Sequence, residues 1–290
     1  LIAEEKNARK RPFGNLANRT VGNVYKDLEK GGASGLELKY DSLLRGVEGV
    51  KSRQKIQGRW TDIEEIAAKD GYDIVTTLDA DIQEVTERAL RAKLEETAAE
   101  SGTAIIMETK TGEIKGVANL DRLSNGSYAE GNPNAFSYMN EPGSTFKTVT
   151  VMVALDDGVI TPTDSFHVGN GLYQYNGKWV RDHYWRQGRD RGYLTVKEGI
   201  ELSSNVVMSK IVLKAYGDDP AKFVKGIDRI GLRKKLTWDV PLNGIEGTSS
   251  IRFPDDKTNY WSKTTLPWMS FGYETKVPPI YMLMFYNGIA

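Results

Sequence analysis

The rhythm of hydrophobic and polar positions changes along this 290-residue chain. Over the first seventy residues, short patches such as GLELKYDSLLRG stand among glycines and charges without sustained periodicity, which predicts a small irregular module. From Gly71 the pattern tightens. Residues DIVTTL alternate as a strand does, Asp79 stands where it can cap a helix, and Ile82, Val85, Ala89 and Leu94 recur after it at helical spacing. TAIIMET and EIKGVAN read as two strands joined by a hairpin turn at Lys110-Thr111-Gly112. The expected organisation is therefore a module over residues 1–70 and a larger domain over residues 71–290.

The larger domain continues with STFKTVTVMVALDDG, a predicted helix of about four turns ended by Gly158. It is apolar on most faces, so it belongs in the middle of a domain, packed on several sides. Thr195-Val196-Lys197-Glu198 is a capping box opening a short helix. Ser203-Ser204-Asn205 interrupts that helix, VVMSKIVLKAYG resumes it to Gly217, and Asp219-Pro220 caps and starts another. Strands, buried helices and a strand pair without internal repeats give an α+β fold.

Composition narrows the classes of function. Lysine plus arginine equals aspartate plus glutamate at 39 each, which argues against a nucleic-acid partner. The charge is uneven, since residues 1–60 carry 13 basic and 7 acidic side chains; this reads as a solvated basic face or as contact with an anionic polymer or membrane surface. The absence of cysteine excludes disulfides, thiolate metal sites and cysteine nucleophiles together. No apolar run approaches the ~20 residues of a membrane span. The chain opens LIAEEKNARKR without an initiator methionine or signal-peptide pattern and closes in the apolar YMLMFYNGIA, which reads as a fragment.

The candidate chemistry begins at EPGSTFK, residues 141–147, where Ser144 and Lys147 stand three apart at a helix start. With 16 serines and 23 lysines, about one Ser-x-x-Lys is expected by chance, and a second copy, Ser52 to Lys55, lies in a polar stretch. Two readings stay open. Ser144 is an N-cap and Lys147 a solvated first-turn residue, or Ser144 is a nucleophile at the positive end of a helix dipole with Lys147, on the same face and depressed in pKa by burial, as its base. Ser203-Ser204-Asn205 has the same duality: a helix-breaking polar turn, or a hydroxyl that relays a proton beside a carboxamide that binds a substrate amide. His167 and His183, near Asp164 and Asp182, leave a Ser-His-Asp triad open by spacing and make a poor zinc site. GNGLYQYNGK fits neither a dinucleotide nor a phosphate loop, and Tyr173, Tyr175, Trp179, Tyr184 and Trp185 read as surface packing or as a cleft edge.

Ser-x-x-Lys followed by Ser-x-Asn is part of the signature of penicillin-binding proteins and class A β-lactamases. RPFGNLANRTVG, GLELKYDSLLRGVEG, DIVTTLDADIQ, METKTGEIKGVAN, NEPGSTFKTVT, LTVKEGIELSSNVVMSKI and FGYE occur in the order found in class B penicillin-binding proteins, so the chain resembles their division-type D,D-transpeptidases over nearly its whole length. The resemblance implies a transpeptidase domain of antiparallel sheet with helices on both faces, preceded by a pedestal. It implies Ser144 as nucleophile, Lys147 as base, Ser203 as relay and Asn205 as amide ligand, with no metal or cofactor. The implied partners are peptidoglycan stem peptides, β-lactams, a glycosyltransferase and other division proteins, on the periplasmic side of the inner membrane behind an N-terminal membrane helix absent here. A β-lactamase or D,D-carboxypeptidase on the same scaffold, or a non-catalytic binding module, are the alternatives.

The family's third motif, Lys-Thr/Ser-Gly, departs from expectation. Lys110-Thr111-Gly112 precedes the nucleophile and resembles a hairpin outside the site, and Lys263-Thr264-Thr265 lacks the glycine and lies upstream of Phe271-Gly272-Tyr273-Glu274. The sequence is therefore expected to stop before that motif. Val277-Pro278-Pro279 also replaces the family's Thr-Pro after Gly-Tyr-Glu.

Overall fold

The computed structural model describes residues 10–27, 30–241, 250–254 and 260–290. Residues 1–9, read above for a leader, lie outside the described residues. The chain falls into two units, residues 1–135 with 238–244, and residues 136–237 with 245–290.

The first unit begins with three short helices, α1 (Asn18–Val21), α2 (Gly35–Lys39) and α3 (Asp41–Leu44). An antiparallel hairpin of β1 (Val50–Ile56) and β2 (Arg59–Ile66) follows, turning through Gln57 and Gly58, both at positive φ (49° and 81°). Two positive-φ residues are what a two-residue hairpin turn needs to match strand twist. Helix α4 (Ala80–Thr97) is capped as expected, the Asp79 carboxylate accepting from the N–H groups of Asp81 and Ile82 at 3.0 Å. The predicted strand pair forms: β3 (Ser101–Met107) lies antiparallel to β4 (Ile114–Arg122), and β5 (Tyr128–Glu130) extends the sheet.

Two expectations fail here. DIVTTL forms no strand; Val75 is exposed, and the segment is tied down only at its end, where Thr77 Oγ1 donates to Ile114 O and Asp79 N to Lys115 O. The buried face of α4 is only in part the predicted one: Leu94 is buried, but Ile82, Val85 and Ala89 are exposed, and Gln83 and Thr86 are buried instead. The reason is a polar match. Gln83 donates from Nε2 to Val117 O and accepts from Val117 N, both at 2.8 Å, as a neighbouring strand would. Gly102 and Gly116 let the helix close on the sheet, since a Cβ there would meet Leu94 at 2.8 Å and Thr86 at 2.9 Å. Leu94, Leu120 and Tyr128 complete this core.

A short helix, α5 (Asn134–Ser137), stands where the first unit gives way to the second. The second unit is built on α6 (Lys147–Asp156), entered through a 3₁₀ turn at Gly143–Phe146. Small antiparallel pairs follow: β6 (Ser165–His167) with β9 (Tyr193–Thr195), and β7 (Leu172–Tyr175) with β8 (Lys178–Arg181). The capping box forms, Glu198 N donating to Thr195 Oγ1 and Thr195 N to Glu198 Oε2, and opens α7 (Val196–Glu201). Helix α8 (Asn205–Tyr216) resumes after the interruption, and α9 (Pro220–Arg229) starts on its proline without the side-chain cap expected of Asp219. The unit ends with β10 (Ser250–Ile251), α10 (Thr265–Met269), β11 (Thr275–Lys276), which pairs with β10, and α11 (Pro279–Asn287). Among the described residues no helix is long and apolar enough to cross a membrane.

Helices α6, α8 and α9 pack together through Val149, Val153, Val207, Ile211, Phe223 and Ile227, all nearly inaccessible to solvent. A Cβ on Gly226 would sit 2.2 Å from Val153 Cγ1, so the close approach of α9 to α6 requires that glycine. Each such buried apolar side chain is worth about 1.5–3 kcal/mol, which fixes the starts of α6 and α8. Those two helix starts carry the candidate chemistry.

Candidate active site

The turn ahead of α6 is shaped by backbone. Gly143 has φ 57°, and Gly272 has φ 84° and lies so close that a Cβ on it would stand 2.1 Å from Gly143 O. Gly143 N donates to Gly272 O at 3.2 Å, and Asn140 and Val277 exchange N–H···O bonds of 3.3 and 2.9 Å. Glu274, itself at φ 53°, donates its N–H to Glu141 Oε1 at 2.9 Å and accepts at Oε2 from Thr265 Oγ1 and Arg252. Residues 140–143 are thus clasped by residues 272–277. Phe146, fully buried, anchors the other end of the turn.

Ser144 is exposed on this turn, and Lys147 opens α6 with only 3% of its surface accessible. The Lys147 amine donates to Ser203 O at 2.5 Å and to Ser203 Oγ at 2.8 Å, across 56 residues of chain. Burial lowers its pKa to about 8, opposed by the negative charge of Asp182. The two contacts use the two N–H bonds of a neutral amine and leave its lone pair free.

Ser203, Ser204 and Asn205 occupy the break between α7 and α8 and point three ways. Ser203 is held at φ 49°, a left-handed conformation costly for serine, which directs both its carbonyl and its hydroxyl at Lys147. Ser204, buried, caps α8 by accepting from Val207 N at 3.0 Å and donates to Asp182 Oδ2 at 2.8 Å. Asn205 donates from Nδ2 to Arg181 O at 2.8 Å, a contact that does not use its side-chain oxygen. The four sequence-predicted residues therefore fall on two neighbouring helix starts, with Lys147 and Ser203 in direct contact.

Asp182, which the sequence offered only as a partner for a histidine, is placed against the Ser203–Asn205 turn instead. It is 1% exposed and accepts from Tyr184 Oη at 2.8 Å, Ser204 Oγ at 2.8 Å and Val206 N at 3.0 Å. Its sequence neighbours gave no sign of that role, because the groups that bond it at Ser204 and Val206 lie 22 and 24 residues away. The triad does not assemble: Asp164 accepts from Thr161, Asp182 from the groups just named, and His167 stands edge-on to Tyr193. Of the aromatic cluster, Tyr184 is buried beneath the Asp182 contact, Trp185 is flanked by Arg181 and Arg186, and Trp179 is half exposed.

Neither Lys-Thr sequence lies on a strand: both occupy turns. Lys110-Thr111-Gly112 is the exposed β3–β4 turn, with Gly112 at φ 75° and Thr111 Oγ1 bonded to Glu108. Thr265 starts α10 and donates to Glu274.

A buried lysine is thus joined to a Ser-x-Asn turn close in sequence to an exposed serine on the turn that leads into α6. Residues 102–290 match the penicillin-binding protein transpeptidase domain, and the chain belongs to that family. It is 28% identical to peptidoglycan D,D-transpeptidase FtsI of Escherichia coli over 98% of this chain and 46% of that protein. It is 27% identical to stage V sporulation protein D of Bacillus subtilis over 96% of this chain and 42% of that one. The chain thus spans about half the length of the curated relatives it matches. Among solved structures, penicillin binding protein 3 of Mycobacterium tuberculosis superimposes with a TM-score of 0.75 at 23% identity, over 97% of this chain and 58% of that one, which establishes the fold.

Proposed function

We propose that this chain carries the acyl-transfer centre of a peptidoglycan D,D-transpeptidase. Ser144 Oγ attacks the carbonyl of the penultimate D-Ala of a stem peptide while Lys147 takes its proton, giving a tetrahedral oxyanion. The C–N bond to the terminal D-Ala then breaks, and the proton passes from Lys147 through Ser203 to the leaving amine. The amine of a neighbouring stem attacks the acyl-enzyme and loses a proton to Lys147; the ester C–O bond then breaks, and Ser144 Oγ takes that proton back from Lys147 as it leaves. Dividing one difficult acyl transfer into two lowers each barrier. Asn205 holds the donor's amide, and N–H groups of the first helical turn, which lack intrahelical acceptors, face the oxyanion.

The observation that carries this reading is the nearly inaccessible Lys147 amine directed at Ser203. At pH 7 a lysine with a pKa of about 8 is neutral ~300-fold more often than an ordinary one. β-Lactams, cyclic mimics of the same acyl donor, are the expected inhibitors. Residues 1–70 are proposed as part of a pedestal and residues 71–290 as the transpeptidase domain, in a protein acting on the periplasmic face of the bacterial inner membrane beside a glycosyltransferase and other division proteins. The test is intact-protein mass spectrometry after penicillin treatment, with the adduct mapped by digestion. A stable adduct on Ser144 supports the reading. Modification elsewhere refutes the nucleophile, and rapid turnover without an adduct indicates a hydrolase.

A further inference from the structure

Asp182 is a carboxylate taken out of water, and the three groups that bond it are neutral: a phenol, a hydroxyl and a backbone N–H. Burying a charge with only neutral donors is costly, and an amide of the same shape would satisfy much of this geometry. The placement of the charge gives it a use. The turn between α7 and α8 is gripped from both sides, Lys147 holding Ser203 through its carbonyl and hydroxyl, and Asp182 holding Ser204 and Val206. Ser203 sits at a φ that serine does not adopt freely, so the turn needs such restraint to keep its hydroxyl on the amine.

We propose that Asp182 is a positioning residue for acylation: by holding Ser204 and Val206 it clamps the Ser203–Asn205 turn so that the Ser203 hydroxyl and carbonyl stay on the Lys147 amine. The proposal rests on Ser144 as nucleophile and Lys147 as its base. The other titratable groups nearby do not compete for that role. Tyr184, which donates to Asp182, has its pKa pushed well up by burial and by that carboxylate, and so stays neutral. Arg191 stacks 4.3 Å from the Tyr184 ring centroid, His183 stands edge-on to the same ring, and Lys210 of α8 directs its amine to His167 O. The Asp182 charge opposes burial at Lys147 by favouring the protonated amine. Without it the amine is deprotonated at lower pH.

The experiment measures second-order acylation by a fluorescent penicillin from about pH 6 to about pH 10, with the adduct mapped, for the wild type, Asp182→Asn and Ser204→Ala. The wild-type rate should climb through about pH 8 as Lys147 loses its proton. Asp182→Asn should lower the high-pH rate at least about tenfold and displace the climb to lower pH, so that the variant-to-wild-type ratio is larger at about pH 6 than at about pH 10. Ser204→Ala cuts one tether but keeps the charge, and should lower the rate at least about threefold without displacing the climb. A ratio for Asp182→Asn that is constant with pH, as a purely structural role would give, overturns the proposal. Should Asp182→Asn fail to fold, Ser204→Ala decides, and a wild-type rate there overturns the proposal. No Ser144 adduct in the wild type at any pH would instead refute the parent reading, and this one with it.

Discussion

The chain contains Ser-x-x-Lys twice, and the two copies have little in common beyond spacing. Ser52 and Lys55 lie on strand β1, where alternate residues face opposite sides, so positions three apart cannot meet; Ser52 Oγ instead accepts from Gln54. Lys55 is exposed. Ser144 lies on the 3₁₀ turn that leads into α6 and Lys147 opens that helix, so the same spacing keeps both on one side of a helical backbone, and the lysine is buried and directed at Ser203. A motif of this length is therefore a statement about periodicity. It has chemical content only where the backbone is helical, at three to 3.6 residues per turn, and burial can unseat a proton.

The sharpest way to break this comparison is to remove each serine. Ser144→Ala should abolish penicillin labelling with the fold intact by circular dichroism, while Ser52→Ala should label as the wild type does. Labelling that survives in Ser144→Ala, or is lost in Ser52→Ala, reverses the assignment.

Next in size is the lysine. A positioned general base contributes about 10²–10⁴ in rate, and an oriented polar group about 10²–10³. Lys147→Ala should slow acylation at least about a hundredfold, Asn205→Ala by a similar factor, and Lys55→Ala not at all. Rates within about threefold of wild type at Lys147 or Asn205 would remove that residue from the mechanism.

Those outcomes bear on what could be read from the residues alone. Local signals were legible: the Asp79 cap, the Thr195–Glu198 capping box, the β3–β4 hairpin, the helical entry at Ser144, which is a 3₁₀ turn into α6, and the helix start at Asn205 all depend on neighbours in sequence. What stayed hidden is non-local. Nothing in IQEVTERAL says that Gln83 will pair with Val117, and that pairing is what exposes Ile82 and Val85. DIVTTL has the alternation of a strand but finds no partner to make it one. Asp182 meets Ser204 across 22 residues, and the left-handed φ of Ser203 is imposed by its surroundings, since serine has no such preference.

Two glycines carry the comparison into the backbone. Gly58 at the β1–β2 turn and Gly272 behind the Ser144 turn have nearly the same φ, 81° and 84°, but open space surrounds the first and Gly143 backbone crowds the second. Gly58→Ala should cost only the conformational penalty, about 1–2 kcal/mol, and leave acylation unchanged. Gly272→Ala adds a clash that backbone must move to relieve, so about 3–4 kcal/mol of stability and at least about tenfold in acylation rate should be lost. Equal effects in denaturant unfolding and labelling would show that the clasp on residues 140–143 does not position Ser144.

The smallest effect concerns stability and runs opposite to activity. In the native state burial holds the Lys147 pKa at about 8, below the ordinary lysine value of 10.5. Below about pH 8 the amine is protonated in both native and unfolded chains, and the native state bears the full cost of a buried cation, at most about 3 kcal/mol. As pH rises from there toward the ordinary lysine value, the unfolded chain holds a proton that the native one has released, so this contribution to stability improves with pH and the cost disappears. Lys147→Met has no proton to lose. It should therefore be more stable than the wild type at about pH 7, by up to about 3 kcal/mol, with the gap closing by about pH 10, while Lys55→Met stays within about 0.5 kcal/mol at both. Urea unfolding of the three proteins at those two pH values tests this, and a gap at Lys147 that is the same at both would mean that its amine is not held near neutrality by the fold.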